Sequence, residues 1–296
     1  IADRQGLTVG SIVIDIDPTI LQLGHFSLRW YGFFIGLAIV AALLVALEEA
    51  RRKGVAENDV YSLGMWAVLG GFVGARLFHV VDRWQDYLAR PAAIFAVQDG
   101  GLAIYGAILG GLAAGAICAR HRGLAIPRMA DLAAPGLILA QAIGRIGCLI
   151  NGDALGAPTD LPWGVVYINP GAMPPSLGVA YHPNPAYEMI GDLLIFSLLW
   201  RLRTRLRVEG ALFLVYLSLY SALKFGVTFF RQEPTFLAGL QEAQVLSLAG
   251  GMVAVGLLLW LARRRPLLAD GPSLAAPAAA RTSANPSTRS GSRKVR

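Results

Sequence analysis

The sequence predicts an all-α membrane protein of about seven transmembrane helices, with the N-terminus outside and the C-terminus cytoplasmic. Three observations lead there. The chain is 55% hydrophobic and 15% charged, whereas soluble domains carry about 25% charged residues. Its apolar residues gather into stretches near the roughly 20 residues that cross a hydrocarbon core as helix. Basic residues mark the ends of alternate stretches, the pattern that sets topology.

The elements follow in chain order. Residues 1–26 show no basic run followed by an apolar stretch and a small-residue cleavage site, so they are read as an outer, interfacial segment rather than a cleavable signal peptide. Spans are expected at 27–48, 60–82, 101–119, 129–150, 186–201, 210–230 and 242–262, within one transmembrane domain over 27–263. The fifth has the weakest apolar signal, because it is short and holds Glu188 and Asp192. Residues 264–296, rich in Pro, Ala, Ser and Arg without apolar periodicity, are expected to be a disordered basic cytoplasmic tail.

Four basic clusters orient the bundle: Arg51 to Lys53, then Arg120, Arg122 and Arg128, then Arg201 to Arg207, and finally Arg263 to Arg265. For an odd number of spans they all fall on one side, the cytoplasmic one. The net charge of +7 is therefore topology rather than a nucleic-acid surface. Cys118 and Cys148 lie at opposite ends of their spans, too far apart for a disulfide, and neither is spaced as a metal ligand. No metal and no cofactor is expected.

The intramembrane ionisable residues are biased in depth. On this topology Arg29, Arg76, Arg83, Arg145, Glu188, Asp192, Lys224 and Arg231 all fall in or beyond the outer half of the membrane. An arginine at membrane depth costs at least about 2.5–3.5 kcal/mol, so these charges must share a cavity that opens toward the outer leaflet. Gln141, Arg145 and Cys148 form one helical stripe, Arg76, His79 and Arg83 another, and Glu188 with Asp192 a third. Gly70 with Gly74, Gly106 with Gly110 and Gly111 with Gly115 are GxxxG pairs for close helix packing.

Each feature also has a plainer reading. Arg29 and Trp30 suit interfacial anchors, and Arg76, Arg145 and Arg231 suit ion pairs with Glu188, Asp153 or Asp192. As ligands, three arginines best suit phosphate, which a guanidinium grips as a bidentate fork. A phospholipid headgroup is the anion always present at that depth.

In order along the chain, the motifs Arg29-Trp-Tyr-Gly32, Gly74-Ala-Arg76 and Gly100-Gly-Leu-Ala-Ile-Tyr-Gly-Ala-Ile-Leu-Gly-Gly111 are followed by Gly144-Arg-Ile-Gly147 with Asn151-Gly-Asp153. His182-Pro183 with Tyr187-Glu188 and Phe229-Phe-Arg-Gln232 complete the set. Over about residues 11–263 the chain resembles the phosphatidylglycerol–prolipoprotein diacylglyceryl transferases of the bacterial inner membrane. The resemblance implies that residues 27–263 are a catalytic domain, multi-pass in the cytoplasmic membrane, with its active site toward the outer leaflet. It implies transfer of the diacylglyceryl group of phosphatidylglycerol to the lipobox cysteine thiol of a preprolipoprotein, with release of glycerol phosphate. The nucleophile then belongs to the substrate.

Carried over residue by residue, the resemblance makes Arg145 and Arg231 the groups that stabilise the leaving phosphate, with Tyr105 and Asp153 as the other catalytic candidates. Tyr31, Arg76, Asn151, Gly152, Gly156, His182 and Glu188 are the substrate-binding candidates. The family commonly has histidine where this chain has Tyr105, asparagine at Cys148 and glutamate at Asp153, and arginine and glutamate near Lys224 and Thr228. An unperturbed phenol titrates at about 10, so Tyr105 would need Arg145 beside it to serve as a base; Asp153 and His182 are the other proton acceptors. The alternative readings are a divergent paralogue with an altered lipid donor or lost catalysis, and a non-enzymatic lipid-binding or transport protein. A transporter more often shows an internal repeat with broken helices, and none is evident.

Overall fold

The computed structural model describes residues 11–24, 26–88, 90–96, 100–264 and 267. The expected tail at 264–296 lies, apart from residues 264 and 267, outside the described residues, as do residues 1–10 of the N-terminal segment. Seven long helices form: α1 (Trp30–Lys53), α2 (Glu57–Asp82), then, after the short α3 (Trp84–Leu88) and a 3₁₀ turn at Pro91–Phe95, α4 (Ile104–His121) and α5 (Ile126–Asn151). They continue as α6 (Asn184–Leu202), α7 (Ala211–Thr228) and α8 (Glu242–Arg264). Six of them, all but α6, are long and apolar enough to cross a membrane. Only 11% of the most apolar window of α1 and 6% of that of α8 is buried inside the protein. Apolar surface of that extent needs lipid, and the chain is a multi-pass membrane protein.

The fifth expected span is α6, and its departure from the apolar pattern has a physical reason. It carries Glu188, Asp192 and Arg201, of which the two acids are buried. A helix with two buried carboxylates cannot face lipid on that side, and α6 packs against α5 and α7 instead.

Small residues set the helix spacing. The pair Gly70 and Gly74 of α2 meets the pair Gly106 and Gly110 of α4: a Cβ on Gly74 would lie 2.3 Å from the Gly106 carbonyl oxygen, and one on Gly110 2.2 Å from that of Gly70. Gly136 and Gly147 let α5 approach α1 in the same way, with the Ala42 carbonyl and the Tyr31 Cα as the near atoms. The helix ends with basic clusters gather at one end of the bundle. There Arg122, just past the end of α4, pairs with Asp59 of α2 at 2.6 Å, and the backbone N–H of Arg207 donates to the Leu267 carbonyl.

The other end carries short strands that helical periodicity does not announce. Strand β1 (Ile12–Ile14) pairs in parallel with β4 (Val165–Tyr167), which pairs antiparallel with β5 (Ala180–Tyr181). A hairpin of β2 (Thr19–Leu23) and β3 (Phe26–Arg29) leads into α1, and β6 (Thr235–Leu237) with β7 (Leu240–Gln241) leads into α8. The N-terminal segment thus joins a small sheet over the helix ends, where Leu155, Val165, Tyr167 and Tyr181 form their own apolar cluster. Strands of two to five residues are too short to reveal a period of two in the sequence.

Candidate active site

α5 presents Gln141 and Arg145 of its stripe toward α7 and α6, while Cys148 at its end lies by Asp153 and Tyr31. Gln141 donates to the Tyr216 hydroxyl at 2.6 Å. Arg145 forms an ion pair with Glu188, whose other carboxylate oxygen lies 2.7 Å from the Lys224 ammonium on α7. The Glu188 side chain is 4% exposed and those of Arg145 and Lys224 only 20% and 16%, so one carboxylate holds two largely buried cations. Asp192, one turn along α6, is buried with no hydrogen-bond partner on either oxygen among the described residues. Tyr220, one turn before Lys224, reaches Arg145.

The network continues past the end of α7. Lys224 lies within reach of the charge on Arg231, and Arg231 pairs with Glu233 at 2.6 Å. The Arg231 Nε is buried without a hydrogen-bond partner among the described residues. Gly156 shapes this segment: a Cβ there would stand 2.5 Å from the Phe230 carbonyl and 2.7 Å from the His182 Cβ. The backbone N–H of Ala157 donates to the same Phe230 carbonyl at 2.6 Å. His182 packs its ring on Phe230 and lies 3.2 Å from the Tyr187 hydroxyl through Nδ1.

The C-terminus of α5 forms the adjoining wall. Asn151 accepts a hydrogen bond from Arg29 at 2.8 Å and donates to Asp153 at 2.6 Å, while the second Asp153 oxygen is buried with no hydrogen-bond partner among the described residues. Gly152, at φ 77°, ends the helix in a left-handed turn directly against the Tyr167 ring. Tyr167 donates to the Leu149 carbonyl at 2.5 Å, and burial pushes its phenol well above the usual tyrosine range, so it stays a donor. Tyr31 of α1 is exposed at the edge of this wall, close to Cys148, Asp153 and Arg145.

Ten of the candidates, all but Arg76, therefore surround one polar region, but two of the expected roles meet different surroundings. Arg76 is 8% exposed, and its guanidinium donates to the backbone carbonyls of Ile94, Gly100, Gly101, Ala93 and Ala96. With five donors in all, it clamps the connection before α4 and has none to spare for a lipid. Tyr105 lies on the far side of the region, with its ring 6.3 Å from Phe78 and its phenol beside the carboxylates of Glu242 and Glu233. The arginine that a phenolate base requires is not its neighbour. Sequence reasoning put Lys224 among the charges of the shared cavity without giving it a role and left Tyr220 out; the spacing Tyr220, Lys224, Thr228 along one face of α7 is the signal that finds them. It also read Arg29 as an anchor, where the structure shows a strut to Asn151.

The family model for prolipoprotein diacylglyceryl transferases matches residues 18–261. The chain belongs to this family. A phosphatidylglycerol–prolipoprotein diacylglyceryl transferase from Trichormus variabilis is 38% identical over 260 residues, covering 84% of this chain and 92% of the relative. One from Gloeobacter violaceus is 39% identical over 252 residues, covering 83% and 93%, and one from Clostridioides difficile is 36% identical over 235 residues, covering 79% and 91%. In this family member the matched segment spans the whole polar network from Arg29 to Glu242.

Proposed function

We propose that this chain transfers the diacylglyceryl group of phosphatidylglycerol to the lipobox cysteine thiol of a preprolipoprotein, the first step of lipoprotein maturation. The observation that carries the reading is the cationic network of Arg145, Lys224 and Arg231, anchored by Glu188 and holding a buried guanidinium donor without a partner among the described residues. The relatives' names supply the substrates.

In the reaction the substrate thiol attacks the glycerol carbon that bears the phosphodiester. A carbon–sulfur bond forms, the carbon–oxygen bond breaks, glycerol phosphate leaves with the electron pair, and the thiol proton passes to a base. Arg145, Lys224 and Arg231 stabilise the charge on the leaving phosphate in a site shielded from water. Asp153, with its unpartnered oxygen beside Tyr31 and Cys148, takes the proton, and His182 is the second acceptor in reach of the same region. Tyr31 and Asn151 orient the headgroup, Gly152 and Gly156 hold the two walls close, and Tyr105 positions substrate from the α4 side. Arg76 serves binding by fixing the loop before α4. The site faces the outer leaflet of the bacterial cytoplasmic membrane and the C-terminus the cytoplasm, a reading that the basic clusters at alternate helix ends support.

The test is direct. Purified protein, phosphatidylglycerol and a synthetic lipobox peptide are incubated and the peptide mass followed, alongside complementation of a transferase-depleted bacterium. A peptide heavier by one diacylglyceryl group, with release of glycerol phosphate, is the expected result. Lipid binding without any peptide modification would overturn the reading in favour of a lipid-binding protein.

A further inference from the structure

At the opposite end of the bundle a second polar cavity stands apart from the network around Arg145. The C-terminal ends of α1 and α6 and the N-terminal ends of α5 and α7 converge on a space of about 280 Å³. Arg128 at this cavity and Arg145 lie on the same helix about 25 Å apart, at 1.5 Å per residue. Arg52, Lys53, Arg128, Arg203 and Arg207 line the space, with Asp131 and Glu209.

The acids here are largely committed to other tasks. Glu49, fully buried, pairs with Arg52 at 2.6 Å and with Arg203, whose guanidinium also lies over the Trp200 ring. Asp131 accepts the backbone N–H groups of Gly210 at 2.8 Å and Phe213 at 2.9 Å, so it caps α7 and leaves Lys53 at 3.7 Å. Arg128 donates through one guanidinium nitrogen to the Lys53 carbonyl and reaches Glu209 only at 3.8 Å, and the exposed Arg207 side chain has no ion pair among the described residues. Five cations face three carboxylates, and the three with donors to spare, Lys53, Arg128 and Arg207, come from different elements around one opening. Because every lining residue sits at the end of a membrane-length helix or in the adjoining loop, the cavity lies at headgroup depth. Basic pockets between helix ends are suited to anionic headgroups. Its volume falls just below the roughly 300 Å³ at which drug-sized sites begin, which suits a phosphate group with its waters rather than a whole lipid.

We infer that this cavity is a second anion site, which binds a phosphate group carried by an anionic phospholipid or by a soluble compound and so ties α1, α5 and the α6–α7 connection together. It is independent of the proposed donor-lipid site. The test uses detergent-purified full-length protein, its Lys53→Gln/Arg207→Gln variant and, separately, Arg145→Ala. Each is titrated with dioctanoyl phosphatidic acid, dioctanoyl phosphatidylcholine or inorganic phosphate, with thermal unfolding and native mass spectrometry as readouts. Phosphatidic acid should stabilise the parent and Arg145→Ala alike, and bind the double variant at least about tenfold more weakly. Stabilisation by phosphatidic acid but not by inorganic phosphate assigns the site to a lipid headgroup, and equal stabilisation assigns it to a soluble phosphate compound. Equal affinity of parent and double variant, or loss of all binding in Arg145→Ala, would overturn the inference. Arg207→Gln alone alters an exposed side chain that can be lost without unfolding, so a weakened affinity there keeps the result readable if the double variant proves unstable.

Discussion

Replacing Glu188 by glutamine tests the network at its centre. The amide keeps the shape of the side chain and removes the charge, so packing against α5 and α7 is retained while Arg145 and Lys224 both lose their counter-ion. Removing one partner of a buried ion pair costs about 3–5 kcal/mol. Here the carboxylate is 4% exposed and serves two cations, one of them at 2.7 Å, which places the expected loss in the upper part of that range. At about 2–4 °C per kcal/mol for a chain of this size, the unfolding midpoint in detergent should fall by at least about 8 °C. Transfer should fall with it, because Arg145 loses the group that orients it. A short-chain phosphatidylglycerol should stabilise the variant more than the parent, since its phosphate supplies the missing negative charge. A midpoint within about 2 °C of the parent, with an unchanged response to lipid, would refute the reasoning and show that Asp192 alone neutralises the two cations.

Four further outcomes are expected. Arg145→Lys should insert and fold yet recover little transfer in the peptide assay, because an ammonium cannot fork onto phosphate; near-parental turnover would exclude a bidentate role. Tyr105→Phe should lose less than about tenfold in turnover, the scale of one hydrogen bond, whereas a loss of about 10²–10⁴-fold would restore the phenol as general base. Gly74→Ala sets a Cβ 2.3 Å from the Gly106 carbonyl and should destabilise by at least about 1–3 kcal/mol, while Gly36→Ala, which meets nothing within 4 Å, should leave the unfolding midpoint unchanged or higher. Thiol labelling of Thr204→Cys should succeed only from the cytoplasm and that of Pro170→Cys only from outside; labelling of both from one side would break the proposed topology.

The sequence by itself determined whatever depends on local spacing and bulk chemistry. Apolar runs of membrane length located α1, α2, α4, α5, α7 and α8, because each such run must satisfy its own backbone in lipid and can do so only as a helix. The GxxxG pairs marked α2 and α4 as closely packed helices, and the 3.6-residue period placed Gln141, Arg145 and Cys148 on one face. What that face meets was open, with Glu188, Asp153 and Asp192 all eligible as partners for Arg145. Only the tertiary structure chose Glu188, by rotating α6 so that one carboxylate lies between α5 and α7. It likewise committed Arg76 to five backbone carbonyls, turned the Tyr105 phenol toward Glu242 and joined β1 to β4 across about 150 residues of chain. Ionic and hydrogen-bonded partners are fixed by helix rotation and chain crossing. Those are properties of packing between elements, which no periodicity within a single element encodes.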